Sequence, residues 1–184
     1  HKDNVALALD ICKYLGVEKE GALKEMKKMI PDEGVLMKNI VKHDNKIISF
    51  YNAFAANDPE SSRMIWNSIF REENPEEFKI VLLTVRHDRQ SRAMQLLGLI
   101  ASELTFDLLV PIGDITSVIE EKAVKLGILK NKMRIEEWNT PENVYKGLLD
   151  LSGPKTTIIG LGNMGAMGAE VSQIFKEESN KTEW

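Results

Sequence analysis

The chain has 184 residues, of which 43% are hydrophobic and 28% are charged, a composition ordinary for one α/β domain with a small appendage. Its net charge of −4 gives no electrostatic reason to expect nucleic-acid binding, and no apolar run reaches the roughly 20 residues that a membrane-spanning helix needs. One cysteine and three scattered histidines exclude an internal disulfide and indicate no zinc-type ligand cluster.

The first residues predict two helices and a linker. Apolar spacing predicts a helix over 3–15 and a second over 18–30, which Pro31 ends. Because the chain starts without Met and directly at a helix, we expect 1–31 to follow further polypeptide. Segment 32–46 mixes turn residues, charge and room for a short strand, which is typical of a hinge or linker.

From residue 47 onwards, strands and helices alternate. Five apolar strands are predicted at 47–52, 78–85, 107–113, 132–138 and 156–162. Amphipathic helices are predicted between and after them, at 60–70, 89–104, 115–127, 140–153 and 168–178. This alternation is typical of a doubly wound, mostly parallel sheet with helices on both faces. We therefore predict an α/β fold with about five strands over 47–184, preceded by a helical hairpin.

Polar residues just after the strands are the candidate site, because ligands of such sheets bind beyond the carboxyl ends of the strands. The loop NAFAANDPESS follows the first strand and holds Asn52, Asn57 and Asp58 before a helix whose N-terminus favours anions. A long capped connection without a ligand is the alternative.

The loop VRHDRQSR follows the second strand. It groups three arginines with an acidic residue: Arg86, Arg89, Arg92 and Asp88. The arginine fork suits a carboxylate or a phosphate, although a solvated helix start has the same composition. We expect His87 to be a polar loop residue rather than a general base, because the sequence assigns it no acidic partner. Asp114, after the third strand, lies in the same crevice or caps the next helix.

The stretch TTIIGLGNMGAMG contains Gly160-x-Gly162-x-x-Gly165, the spacing of a dinucleotide-binding fingerprint. Too few residues follow Gly162 to supply the next strand and acidic residue that such a site needs, which argues against a nicotinamide or flavin enzyme. The glycines instead allow a tight turn and close approach to a ligand or a neighbouring domain, with Asn163 offering a donor and an acceptor. A purely structural turn is the alternative.

Several catalytic motifs do not occur in the sequence, among them the G-x-x-x-x-G-K-[ST] phosphate loop, the G-x-S-x-G elbow and H-E-x-x-H. A complete nucleotide-dependent catalyst is therefore not visible in this chain alone.

Three segments, HKDNVALALDICKYLGV, NAFAANDPESS and GLGNMGAMG, together resemble the C-terminal part of the ligase subunit of poly-γ-glutamate synthases, a branch of the Mur ligase superfamily. The resemblance covers essentially the whole chain, and NAFAANDPES is its most specific element. It implies that 1–31 are the last helices of a central ATP-binding domain, that 32–46 is the hinge, and that 47–184 is a Rossmann-like C-terminal ligase domain.

The resemblance also implies residue roles. Asn4 matches the asparagine that contacts adenine at the family's helix start, and Asn52 replaces an acidic residue whose metal or ribose role passes to Asp58. His87-Asp88-Arg89 resembles the family's Gly-Asp-Arg-Asp, and Gly160 to Asn163 resembles its Gly-Lys-Gly-His-Glu without the Lys, His or Glu. The predicted cofactor-binding residues are Asn4, Asn52 and Asn57, the catalytic ones Asp58 and Arg89, and the substrate-binding ones Asp88, Arg89, Asp114, Gly160, Gly162 and Asn163; no metal ligand is assigned.

The implied activity is that of an ATP-dependent amide ligase for capsular or secreted poly-γ-glutamate. ATP would phosphorylate the γ-carboxylate of the growing chain, and the amine of a glutamate would attack the acyl phosphate. Mg²⁺ would be held mostly by the upstream ATP-binding domain. The expected partners are glutamate, the polyglutamate chain, that upstream domain and membrane-embedded synthase subunits at the cytoplasmic face of the cell membrane; homo-oligomerisation stays open. The alternative is a non-catalytic Rossmann-like module that binds a nucleotide or a protein.

Overall fold

The computed structural model of the chain describes residues 2–28, 36–56, 58–71, 76–165 and 167–182. The chain divides into two compact units, residues 1–33 and 34–184, and each is described by itself.

The first unit is the predicted helical hairpin. Helix α1 spans Lys2–Tyr14 and helix α2 spans Lys19–Met26. Gly16 ends α1 in a left-handed conformation (φ 74°), next to a hydrogen bond from Val17 N to Cys12 O at 2.8 Å. The predicted end of the second helix, at 29–30, lies outside the described residues.

The second unit contains a five-stranded sheet in the order β1-β2-β5-β3-β4. Its strands are β1 Met37–His43, β2 Lys46–Asn52, β3 Phe78–Val85, β4 Leu108–Gly113 and β5 Lys155–Leu161. Strand β1 runs antiparallel to β2, and the remaining pairs are parallel. The predicted fold class, a mostly parallel α/β sheet of about five strands, is confirmed.

Five helices cover this sheet: α3 Pro59–Ile69, α4 Gln90–Glu103, α5 Thr116–Lys125, α6 Pro141–Leu151 and α7 Met167–Thr182. Short 3₁₀ turns lie at His87–Arg89 and Lys130–Lys132. Thr140 caps α6, since its Oγ1 accepts a hydrogen bond from Asn143 N at 3.2 Å.

The core lies on both faces of the sheet. Alternate side chains of β3 point to opposite faces, so that Val81 and Leu83 pack with α3, α4 and α5, whereas Leu82 packs with α6 and α7. On the second face the rings of Phe50 and Phe175 stack with their centroids 4.2 Å apart, and both side chains are fully buried. Burying a side chain of this kind stabilises the fold by about 1.5–3 kcal/mol.

The predicted strand at 132–138 is wrong. Met133 is buried and makes a single bridge with Leu109, where Arg134 N donates to Leu109 O at 3.0 Å. The backbone carbonyl of Leu109 therefore points away from β3, to the outer edge of β4. The backbone nitrogen of Pro111, two residues later, points to the same edge. Proline has no N–H to donate, so the ladder cannot continue past this point.

Strand β1 lies in the segment that the sequence predicts as a linker. It joins β2 through a two-residue loop in which Asp44 has a positive φ of 51°, the conformation that tight hairpins need. Val41 is buried, and Ile40 N donates to Ser179 Oγ of α7 at 3.1 Å. The exposed Lys42 is typical of an edge strand, where charge discourages further pairing.

Candidate functional site

The carboxyl ends of the four parallel strands lie side by side, as predicted. Asn52 of β2 pairs with Gly160 of β5, and Val85 of β3 pairs with Gly113 of β4. Because β5 lies between β2 and β3, the loops after all four strands meet along one edge of the sheet. We call the side chains of Thr84, Arg86, His87, Asp88, Arg89, Asp114 and Asn163 at this edge the edge cluster.

Thr84 attaches the β5–α7 loop to β3. Its buried hydroxyl accepts a hydrogen bond from Asn163 N at 2.6 Å and donates one to Asn163 O at 2.8 Å. Gly162 has φ 112°, and a Cβ there would lie 2.5 Å from Thr84 O. Only glycine fits where the two backbones come this close. Thr84 was missed from sequence, although a polar residue near the end of the apolar run FKIVLLTV was an available signal.

The other glycines of the run are also explained by close packing. A Cβ at Gly160 would overlap the ring of the fully buried Phe54, and a Cβ at Gly165 would lie 2.5 Å from Arg86 Nη1. Among the described residues, α7 is the only element that follows β5, so they supply no second half for a dinucleotide site. These contacts favour the steric interpretation of the glycines, and substrate binding by Gly160, Gly162 and Asn163 stays a prediction.

Arg86 makes shorter contacts to Asp88 than Arg89 does. Its Nε and Nη2 donate to the two carboxylate oxygens of Asp88 at 2.9 and 2.8 Å, the bidentate geometry of a strong ion pair. These hydrogen bonds from Arg86 hold the pKa of Asp88 below its usual range. Arg89, the predicted catalytic arginine, lies farther from Asp88, with Nε 3.9 Å from Oδ2. The catalytic and substrate-binding roles of Arg89 therefore stay predictions, and Arg86 joins it as a candidate.

His87 has an acidic partner that the sequence did not reveal. Its Nδ1 lies 3.0 Å from Oδ2 of Asp114, and this hydrogen bond lowers the pKa of the Asp114 carboxyl. Asp114 does not cap the following helix, because the N-cap of α5 is Ile115 and no side chain caps it. The alternative that Asp114 is a helix cap is therefore wrong. The pair joins the loop after β3 to the loop after β4, which only the pairing of these strands brings together.

The loop after β2 forms the start of α3. Asp58 Oδ1 accepts a hydrogen bond from Ser61 N at 2.9 Å, and this bond lowers the Asp58 pKa. Asn52 is buried, and its Oδ1 lies 3.4 Å from Phe54 N, which donates to it. These contacts favour a capped connection, and the catalytic and cofactor roles of Asp58 and Asn52 stay predictions. The predicted cofactor residue Asn57 lies outside the described residues, and Asn4 is an exposed residue of α1 in the first unit.

The residues that the structure describes contain no group of three or more His, Cys, Asp or Glu side chains arranged to hold a metal ion. None of their helices combines the length and the apolar character needed to cross a bilayer.

Comparison with known families gives a match over most of the second unit. Residues 37–178 match the family described as the poly-gamma-glutamate synthase CapB C-terminal domain. The matched range begins at the first residue of β1, ends within α7 and includes every residue of the edge cluster.

Two curated proteins are similar along nearly the whole chain. The capsule biosynthesis protein CapB of Bacillus anthracis is 28% identical over 181 residues, which are 97% of this chain and 39% of that protein. The PGA synthase CapB of Bacillus subtilis (strain 168) is 28% identical over 175 residues, which are 95% of this chain and 44% of that protein. The chain thus spans less than half the length of these two relatives.

Solved structures share the fold. The MurF ligase from Thermotoga maritima, crystallised in complex with ADP, superposes on this chain with a TM-score of 0.57 at 14% identity. The match covers 97% of this chain and 38% of the MurF chain. At this identity the similarity concerns the fold alone.

Proposed function

The chain belongs to the family of poly-gamma-glutamate synthase CapB C-terminal domains, and we propose that it is the substrate-closing part of an ATP-dependent amide ligase that joins glutamate through γ-linkages. The observation that carries this proposal is the family match from β1 to α7, which includes the whole edge cluster.

The proposed reaction proceeds through an acyl phosphate. ATP phosphorylates the γ-carboxylate at the end of the growing chain, and the amine of the next glutamate attacks the acyl carbon and releases phosphate. Such a reaction needs its anionic reactants held in line and their charge stabilised. Arg86 and Arg89 present guanidinium groups at one sheet edge, and guanidinium is suited to the carboxylates and phosphates of these reactants.

In this proposal an upstream domain binds the ATP phosphates, because this sequence contains no G-x-x-x-x-G-K-[ST] loop. The described residues form no group of three or more His, Cys, Asp or Glu side chains that could hold a metal ion, and in this proposal the upstream domain supplies most of the Mg²⁺ ligands. The contribution of this chain is to bind and orient the glutamate and the end of the polymer.

We further propose that the ligase works at the cytoplasmic face of the cell membrane with membrane-embedded synthase subunits. The support for this arrangement is the family resemblance, since a polymer destined for a capsule or for secretion has to leave the cell. Co-purification of the full-length protein with membranes, and its release when the partner subunits are deleted, would test it.

The proposed activity is tested with the full-length protein that includes this chain. We expect release of ADP that depends on both ATP and glutamate, together with a polymer that a γ-specific hydrolase degrades. The chain of 184 residues alone is the matched control and should show neither. Activity of this chain alone would contradict the proposed division of labour. Tight NAD binding in calorimetry, without ADP release by the full-length protein, would favour a non-catalytic nucleotide-binding module.

A further inference from the structure

The pair formed by His87 and Asp114 has a geometry suited to proton transfer. Nδ1 of His87 lies 3.0 Å from the Asp114 carboxylate, whereas the His87 side chain is 75% exposed. When a carboxylate accepts the hydrogen on Nδ1, the neutral ring keeps its lone pair on Nε2. Asp114 therefore selects the tautomer that presents a proton acceptor to solvent.

We propose that His87 accepts a proton from the ammonium group of the incoming glutamate and that Asp114 is the positioning residue that holds its ring. This inference rests on the proposed ligase function. An ammonium nitrogen has no lone pair, so it cannot attack an acyl phosphate until it loses a proton.

The proposed step balances in atoms and charge. One ammonium proton passes to Nε2 of His87, and the freed lone pair forms the new carbon–nitrogen bond. The carbon–oxygen bond to phosphate breaks, and the phosphate leaves with that electron pair. The second nitrogen proton goes to the departing phosphate. The products are the amide, hydrogen phosphate and a histidine that returns its proton to solvent.

The surroundings of His87 fit this role. The bidentate pair with Asp88 holds the Arg86 side chain in place, and Arg89 adds a cation that suits the carboxylates of the incoming glutamate. The other described histidine, His43, is the last residue of β1 and pairs with Lys46, the first residue of β2. It therefore lies near the amino end of β2, whereas the edge cluster lies at the carboxyl ends of the parallel strands. His43 is therefore a matched control.

The first experiment measures the tautomer of His87 without any activity. Nitrogen-15 spectra of the chain at alkaline pH, where the ring is neutral, should show the hydrogen of His87 on Nδ1. In Asp114→Ala that preference should be lost, and Asp114→Asn should lose it as well, because the amide can turn its NH2 group to donate to Nδ1 and so favour the hydrogen on Nε2. A hydrogen on Nε2 in the unmodified protein would overturn the inference, whatever the enzyme does.

The second experiment uses the full-length ligase at saturating ATP and compares two acceptors. With glutamate, His87→Ala should lower kcat by about 10²–10⁴-fold, the usual contribution of a general base. With hydroxylamine, whose nitrogen is mostly unprotonated at neutral pH, the same variant should keep its rate, because no proton acceptor is needed. Added imidazole should restore part of the glutamate reaction, since the His87 position is exposed.

The outcomes separate this inference from the proposed function. His43→Ala should leave both reactions unchanged. Equal losses with glutamate and hydroxylamine would assign His87 a structural role and overturn the inference. Retained glutamate activity in His87→Ala would do the same while leaving the ligase proposal intact. Absence of ligation by the unmodified full-length enzyme would overturn the proposed function and this inference together.

Discussion

Replacing Thr84 with valine should destabilise the second unit by about 1–3 kcal/mol. Valine keeps the shape of the side chain but removes the hydroxyl that exchanges two hydrogen bonds with the Asn163 backbone. Each intramolecular hydrogen bond contributes about 0.5–1.5 kcal/mol net, so the two bonds together contribute about 1–3 kcal/mol. Asn163 is only half-buried, so water can bond to its freed backbone groups, and no further penalty for unpaired polar groups is added.

Urea denaturation of the chain, followed by circular dichroism, measures this free energy of unfolding. Thr84→Ser is the matched control, because it keeps the hydroxyl and loses one methyl group, worth about 0.8 kcal/mol. Hydrogen exchange at the Asn163 amide supplies a local readout, which should lose protection in the valine variant and keep it in the serine variant. A valine variant with unchanged stability and an equally protected Asn163 amide would refute the role assigned to the Thr84 hydroxyl.

Three further predictions concern the glycine run and the arginine loop. Gly162→Ala should lower the stability of the second unit by at least about 1–2 kcal/mol, because the φ of Gly162 is 112° and the new Cβ would meet the backbone of β3. Gly98→Ala is the control, because this glycine lies within α4 with open space at its Cβ position, and it should raise stability by about 0.5–1 kcal/mol. Thermal melts of both variants test this. The pKa of Asp88 should lie below the usual range of an aspartate in a carboxyl carbon-13 titration, because the hydrogen bonds from Arg86 stabilise the carboxylate, and it should rise towards that range in Arg86→Met. The ion pair therefore holds at neutral pH and is lost as the pH falls through the folded-state pKa. An unchanged Asp88 midpoint in that variant would contradict the assignment of the pKa shift to Arg86. Arg89→Ala should slow polymerisation by the full-length ligase while changing stability by no more than about 0.5 kcal/mol, and parallel losses of activity and melting temperature would indicate a structural role instead.

The sequence by itself determined the α/β class, most helices and four of the five strands. Long apolar runs such as 78–85 need burial on both faces, and the amphipathic helices between them supply that cover. It also determined that polar loop residues gather at one edge, because the carboxyl ends of parallel strands share an edge. The steric interpretation of the glycine run was also reached from the sequence, and the close contacts at Gly160 and Gly162 favour it.

The tertiary structure decided which polar groups meet. The hydrogen bonds of Thr84 with Asn163 and of His87 with Asp114 join residues 79 and 27 positions apart. Both depend on the strand order β2-β5-β3-β4, and periodicity along the chain reports burial but not which strands are neighbours. The failure of the predicted strand at 132–138 has the same origin. Polar and apolar residues alternate in 132–138 as they do in a strand. The outer edge of β4, which this segment meets, contains Pro111, whose backbone nitrogen has no hydrogen to donate. A strand needs a partner with free donors and acceptors, and only the folded sheet determines whether one is present.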